Sequence, residues 1–346
     1  MRRPLPRPLL PALAPGLLLV GAVALVAQVA GGAARDALGV AALEPLVLAI
    51  LFGMLVRTSW TPPARFAPGV QLAGRQGLEV AVALLGASVD LALLALAGPA
   101  LAFGIALVVV LALGAGVAIG RAAGLPSRLA LLVACGNAIC GNSAIAALAP
   151  VIHAEKEHVA SAIAFTAILG VGVVIGLPLL LVPLGLSDYE YGVLAGLTVY
   201  AVPQVLAAAF PVSALSGEVG TLVKLVRVLM LGPVVIFFAI RERRRTHEGG
   251  PLLAPGMLAR FVPWFVTAFV VLALLRGAGM IPMPLANGMR EASRALTVLA
   301  MAALGLGVDL RALRAVGASV VLAVAGSLVA LLGLALALIR LVVSGA

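Results

Sequence analysis

Lys224 and Arg227 stand three residues apart in an otherwise apolar run, and helical spacing puts them on one face. A charge at the centre of a bilayer costs about 2.5–3.5 kcal/mol on insertion scales. Two like charges on one face cost more unless something negative joins them. An arginine can grip a sulfate, a sulfonate or a carboxylate with two N–H groups, while a lysine supplies a point charge. The competing reading is a structural ion pair with Glu218, Asp90 or Glu44. A second constellation is the run from Cys135 to Pro150, which holds two Gly-Asn pairs, Gly136-Asn137 and Gly141-Asn142, followed by Ser143. Glycine weakens a helix, and asparagine competes for its backbone hydrogen bonds. A break there exposes N–H groups that attract an anion, with Asn142 and Ser143 placed to cap the helix beyond it. Close packing through small residues is the competing reading. The substrate-binding candidates in these two runs are therefore Asn137, Asn142, Ser143, Lys224 and Arg227.

The remaining ionisable groups divide by position. Glu44 precedes Pro45 inside an apolar run and is the coupling candidate, as a proton carrier or as a partner of Lys224. Glu79, Asp90 and Asp309 fall near the ends of apolar runs, where solvated termini are expected. His153 reads as interfacial, and Trp60 and Trp264 suit an interfacial aromatic belt. Cys135 and Cys140 have no histidine or acid beside them, which argues against a metal site, and their closeness in a helical run argues against a disulfide.

The elements that carry these residues can be read from composition. The 346-residue chain is 63% hydrophobic and only 10% charged, with a mean hydropathy of +1.22. Soluble domains are about 45–50% apolar, so soluble enzymes and nucleic-acid binders are excluded. At about 20 apolar residues per crossing, the chain reads as an all-α polytopic membrane protein of eleven spans: 9–30, 37–55, 78–97, 100–120, 128–152, 157–184, 190–211, 217–240, 258–276, 292–310 and 315–340. The first resembles a signal peptide but is long enough to be a retained helix. The stretch 62–76 reads as interfacial. With the N-terminus in the cytoplasm and the C-terminus periplasmic, fifteen basic residues lie inside and six outside. The exception is the 185–190 loop, expected inside yet carrying only Asp188 and Glu190.

Two schemes of internal repetition present themselves. Leu85-Gly86-Ala87-Ser88-Val89-Asp90-Leu91 resembles Leu304-Gly305-Leu306-Gly307-Val308-Asp309-Leu310, with Gly98 and Gly317 at the same offset of 219. Alternatively, spans two to six pair with spans seven to eleven. Both have the parity of an inverted repeat. The second gives an extra N-terminal helix in 1–36 and inverted five-helix repeats in 37–184 and 185–346, pairing spans five and ten, whose glycines and polar residues suggest breaks near 136–143 and 305–307.

The run Cys140-Gly141-Asn142-Ser143-Ala144-Ile145-Ala146-Ala147, with Ala149-Pro150-Val151-Ile152, resembles the YeiH-type proteins, also called UPF0324 and named as sulfate exporters. Ala49-Ile50-Leu51-Phe52-Gly53-Met54-Leu55-Val56-Arg57 and Val223-Lys224-Leu225-Val226-Arg227-Val228-Leu229 extend the resemblance along the chain. It implies a fold related to sodium/proton antiporters and bile-acid symporters, with two broken crossing helices. The family pattern has a histidine and an acid where this chain carries Tyr200 and Ala201, while Gln204 matches, and the resemblance adds Tyr200 and Gln204 to the substrate-binding candidates.

These observations lead to the expectation of a secondary transporter of a small anion, sulfate or an organosulfonate, working by alternating access in the inner membrane of a bacterium. No Walker A pattern occurs, and no cofactor or metal is expected. H⁺ or Na⁺ would be the coupling ion, and the protein would form a homodimer in the lipid bilayer. A sodium/proton antiporter is the alternative, although span five offers asparagine where that exchange wants a carboxylate. An intramembrane enzyme would need a base beside Cys140 or Ser143, and no histidine sits in the core of a span.

Overall fold

The computed structural model describes residues 9–38, 45–88, 91–246, 263–309, 311 and 318–343, and these are helical with no strand among them. The helices are α1 (Leu9–Leu38), α2 (Pro45–Ser59), α3 (Ala67–Leu72), α4 (Leu78–Leu85), α5 (Leu91–Ala122), α6 (Ser127–Ala138), α7 (Asn142–Leu148), α8 (Lys156–Gly176), α9 (Leu181–Leu184), α10 (Asp188–Thr198), α11 (Val202–Ala209), α12 (Ala214–Leu229), α13 (Leu231–Thr246), α14 (Trp264–Gly277), α15 (Met283–Leu306) and α16 (Ala318–Leu338). Four stretches are long and apolar enough to cross a membrane: Ala12–Ala33, Gly98–Ala122, Ala214–Glu242 and Ser319–Val343. Shorter apolar helices cover Pro45–Ser59, Leu169–Leu184 and Trp264–Gly277. Every interval expected to span contains helix. Contacts divide the chain into one compact unit of residues 1–89 and 268–311 and another of 90–267 and 312–346.

In the first unit, tight turns and one π-turn join α3 and α4 into a single helical stretch from Ala64 to Ser88. The expected boundaries shift accordingly. The segment 62–76, too polar by composition to look like a span, supplies the first half of this helix, while the apolar residues from Leu91 open α5, which kinks at Gly98. The Ala64–Ser88 stretch lies antiparallel to α15: Ser293 Oγ donates to Ala81 O at 2.7 Å, and Gly74 faces Ala303. Span ten is not broken at 305–307. α15 runs uninterrupted from Met283 to Leu306. Its glycines have other uses: Gly305 abuts Ile50 and Gly53 of α2, where any β-carbon would strike backbone, and Gly307 is the C-cap.

The second unit is organised about α5. α16 runs antiparallel to it, since Gly104 meets Leu338 and Gly326 meets Ile119. α6 is antiparallel too, through Gly120 against Ala130 and Gly116 against Ala134. α6 stops at Ala138, and the chain then reverses. A β-carbon on Gly136 would lie 3.0 Å from Ile145 Cδ1; in a straight helix nine residues would separate them by about 13 Å. α6 and α7 therefore form a hairpin whose tip is Ile139-Cys140-Gly141.

A second hairpin faces the first. α10 and α12 are parallel, with Gly192 on Ser216 and Val219 and Gly196 on Gly220 and Val223. α11 returns between them: Tyr191 Oη donates to Ala208 O at 2.9 Å, and Val205 packs on Gly220. Its tip is Val199-Tyr200-Ala201. It enters from the other end of the unit, because Arg340, at the far end of α16, donates to Leu184 O just before α10. Neither span five nor span seven crosses the unit. The interrupted helices are thus those of spans five and seven, not five and ten, and each turns back rather than continuing beyond its break.

Candidate functional site

The two tips meet in the interior of the second unit. A β-carbon on Gly141 would touch Tyr200 Cβ at 3.4 Å, and Gly141 adopts φ +65°, where L side chains are strained. At each tip a helix ends with carbonyl oxygens that have no helical partner, and α12 delivers two cations to them. Lys224 Nζ donates to Ile139 O at 2.6 Å and to Val199 O at 2.8 Å, one from each tip. Arg227 donates through Nε to Ala138 O (3.1 Å), through Nη2 to Asn137 O (2.7 Å) and through Nη1 to Gly196 O (2.9 Å) and Val199 O (3.3 Å). Both side chains have zero exposure. Cations at helix C-termini also complement the helix dipoles. The carbonyls of α6 and α10 are thereby bound to one rigid helix.

Among the described residues, neither cation forms an ion pair. Their hydrogens are not all spent. An ammonium has three and a guanidinium five N–H groups, and the contacts above use two and four. Tyr200, 1% exposed, has an unpartnered hydroxyl. Asn137 donates to Val324 O at 3.3 Å and to Ser327 Oγ, and its Oδ1 has no partner. Asn142 and Ser143 open α7 and are exposed, with Asn142 Oδ1 accepting from Thr166 Oγ1 at 2.6 Å. Gln204 is buried; its Oε1 accepts from Ala201 N at 3.2 Å and it packs on Gly170.

The structure thus brings Asn137, Tyr200, Gln204, Lys224 and Arg227 into the two tips and their surroundings, with Asn142 and Ser143 at the exposed entrance to α7. Glu44 and Asp90 lie outside the described residues. Glu79 faces Arg75 at 3.6 Å; Arg75 is exposed but Glu79 is half-buried within the Ala64–Ser88 stretch, not at a solvated terminus, and Asp309 accepts from Arg311 N. Trp60 and Trp264 are half exposed. Both cysteines are free and buried, and the described residues hold no cluster of three metal-ligating side chains. Thr166 and Ser327, which hold the two asparagines, carried no sequence signal beyond being hydroxyls in apolar runs.

A family model described as "Conserved hypothetical protein 698" matches residues 15–324. A UPF0324 membrane protein of Brucella suis is 51% identical over 327 residues, covering 94% of this chain and 96% of that one. One from Bradyrhizobium diazoefficiens is 48% identical over 335 residues, with 95% and 93% covered. One from Bacillus cereus is 32% identical over 279 residues, with 79% of each covered. No solved structure matches. The apolar helices and these similarities agree on a single placement: the chain belongs to the UPF0324 family of membrane proteins.

Proposed function

We propose that the protein is a secondary transporter of a small anion, with sulfate or an organosulfonate as the favoured class, which binds where the two hairpin tips meet. The observation that carries this is the buried pair Lys224 and Arg227, which has no carboxylate counter-charge among the described residues and retains one unspent N–H on each residue. The Tyr200 hydroxyl is the third free donor. A divalent oxyanion matches the two positive charges present once Lys224 is protonated, and it accepts all three hydrogens. Arg227 and Lys224 then have two duties, holding the tips and facing the anion. Asn142 and Ser143 line the approach. A sodium site in the same place would have to overcome the permanent charge of Arg227, which disfavours the antiporter reading. Opening of the tips to either side in turn gives alternating access.

The hairpins also bear on topology. One end of the second unit carries Arg121, Arg128, Lys156, Arg241, Arg243, Arg244 and Arg245; the other carries Arg340 with Asp188 and Glu190. The positive-inside rule puts the basic end in the cytoplasm, and α16 runs away from it, so the C-terminus is periplasmic. A hairpin in place of span five moves the acidic 185–190 loop outside and Lys156 inside, which removes the one exception to the charge bias. Nine of the described helical stretches then cross.

The same arrangement supports an inverted repeat. α2 and α14 begin 219 residues apart, as do the Ala64–Ser88 stretch and α15, and the part of α5 beyond its Gly98 kink begins 219 residues before the antiparallel α16. The tips 139–141 and 199–201 are 60 apart and oppositely directed. In chain order, two three-helix sets thus flank two hairpin sets, each second copy inverted.

Purified protein titrated with sulfate, methanesulfonate, acetate and NaCl tests the function. A ligand that binds the folded state at 100 times its Kd stabilises by about 2.7 kcal/mol. Sulfate or the sulfonate should raise the melting temperature, and sodium at constant anion should not. Stabilisation by sodium alone would remove the anion assignment.

A further inference from the structure

The two carbonyls on Lys224 Nζ fit an uncharged amine better than an ammonium. A neutral amine has two N–H groups, and Ile139 O and Val199 O accept both. A protonated one has a third, for which the described residues offer no acceptor. Around Lys224 the ionisable groups are Arg227 and Glu218 on α12, Cys135 and Cys140 on the first hairpin and Tyr200 on the second, while α5 presents none between Gly98 and Gly120. Arg227 is a permanent cation one helical turn away. Glu218 lies six residues back along α12, about 9 Å of helix. A second charge at Lys224 therefore lacks both an acceptor and a partner until an anion reaches the tips, and a sulfate oxygen supplies both at once.

We propose that Lys224 is the proton-coupling residue, an uncharged amine with the tips joined and an ammonium when the anion is seated between them, so that each anion enters with one proton taken from solvent. This rests on the anion reading above. It assigns the coupling to a lysine in a chain that has Tyr200 and Ala201 at the second tip, with no carboxylate on either tip. The step is a proton transfer: an N–H bond forms at Nζ as an O–H bond of a solvent hydronium breaks, and the reverse transfer returns the proton to solvent when the anion leaves.

Calorimetric titration of the purified full chain with sulfate at pH 7, in two buffers of different ionisation enthalpy, counts protons directly. The expected result is uptake of about one proton per sulfate by the wild type and none by Lys224→Arg, whose charge is fixed, with sulfate binding weakened but measurable. Lys224→Met, which has nothing to protonate, serves if the arginine variant fails to fold, and should also show no uptake. Sulfate binding without proton uptake in the wild type overturns the proposal, as does undiminished uptake in either variant. Absence of sulfate binding at every pH from 5.5 to 8 is a different failure, because it removes the anion site itself and this proposal with it.

Discussion

Arg227 and Tyr200 separate holding the site from using it. Arg227→Gln removes the donors of Asn137, Ala138 and Gly196 O and one of the two donors of Val199 O. Breaking a buried charged interaction costs about 3–5 kcal/mol, so this variant should lose thermal stability together with its response to sulfate. Tyr200→Phe removes a hydroxyl that bonds to nothing in the structure. Its melting temperature should stay within a degree or two of wild type, while sulfate affinity falls about tenfold, equivalent to about 1.4 kcal/mol. A phenylalanine variant with unchanged sulfate affinity would take Tyr200 out of the site. The importance of Lys224 and Arg227 was legible in the sequence because charge at bilayer depth is expensive wherever it occurs. Their partners were not legible, since the acceptors are backbone carbonyls, which every residue has.

At the scale of elements, the interruption of span five was written in Gly136-Asn137 and Gly141-Asn142, and the chain breaks between them. A broken helix can kink and continue or turn back, and packing decides between the two. Nothing at Ile139-Cys140-Gly141 itself distinguishes a kink from a reversal; Ile145 packing back on Gly136 does. The second tip was harder to see because Val199, Tyr200 and Ala201 are apolar or aromatic and continue the hydrophobic run. Pro203, which disfavours a helical residue before it, was the available signal, and it sits at the second position of α11. The glycines of α15 misled because glycine marks close contact as readily as a break. Gly141 provides the element-scale test. Alanine there must hold φ near +65° with ψ −126° and place its methyl against Tyr200, and such sparsely populated backbone costs an L-residue about 1–3 kcal/mol. Gly141→Ala should lower the melting temperature by several degrees, whereas Gly172→Ala, with open space around it on α8, should not. Equal stability of the two would mean that the tip is not closely packed.

At the scale of the molecule, composition established a membrane protein, but the count of crossings depended on two segments whose length alone suggested that they cross. The hairpins change the side on which the loops between them lie, and that is measurable. If α6 and α7 formed a crossing helix, the loop before α8 would be periplasmic and the loop before α10 cytoplasmic. As a hairpin, the pair reverses both assignments. Glu157 and Asp188 are exposed at opposite ends of the second unit, and the native Cys135 and Cys140 are buried, so single cysteines at 157 and 188 can be labelled against a low background. Asp188→Cys should react with a membrane-impermeant maleimide on intact cells. Glu157→Cys should react only after the membrane is permeabilised. The opposite pattern would restore span five as a crossing helix and return the acidic 185–190 loop to the cytoplasm. The labelling experiment bears on the site along with the topology, because in this structure Lys224 bridges Ile139 and Val199 at the tips of two hairpins that turn back.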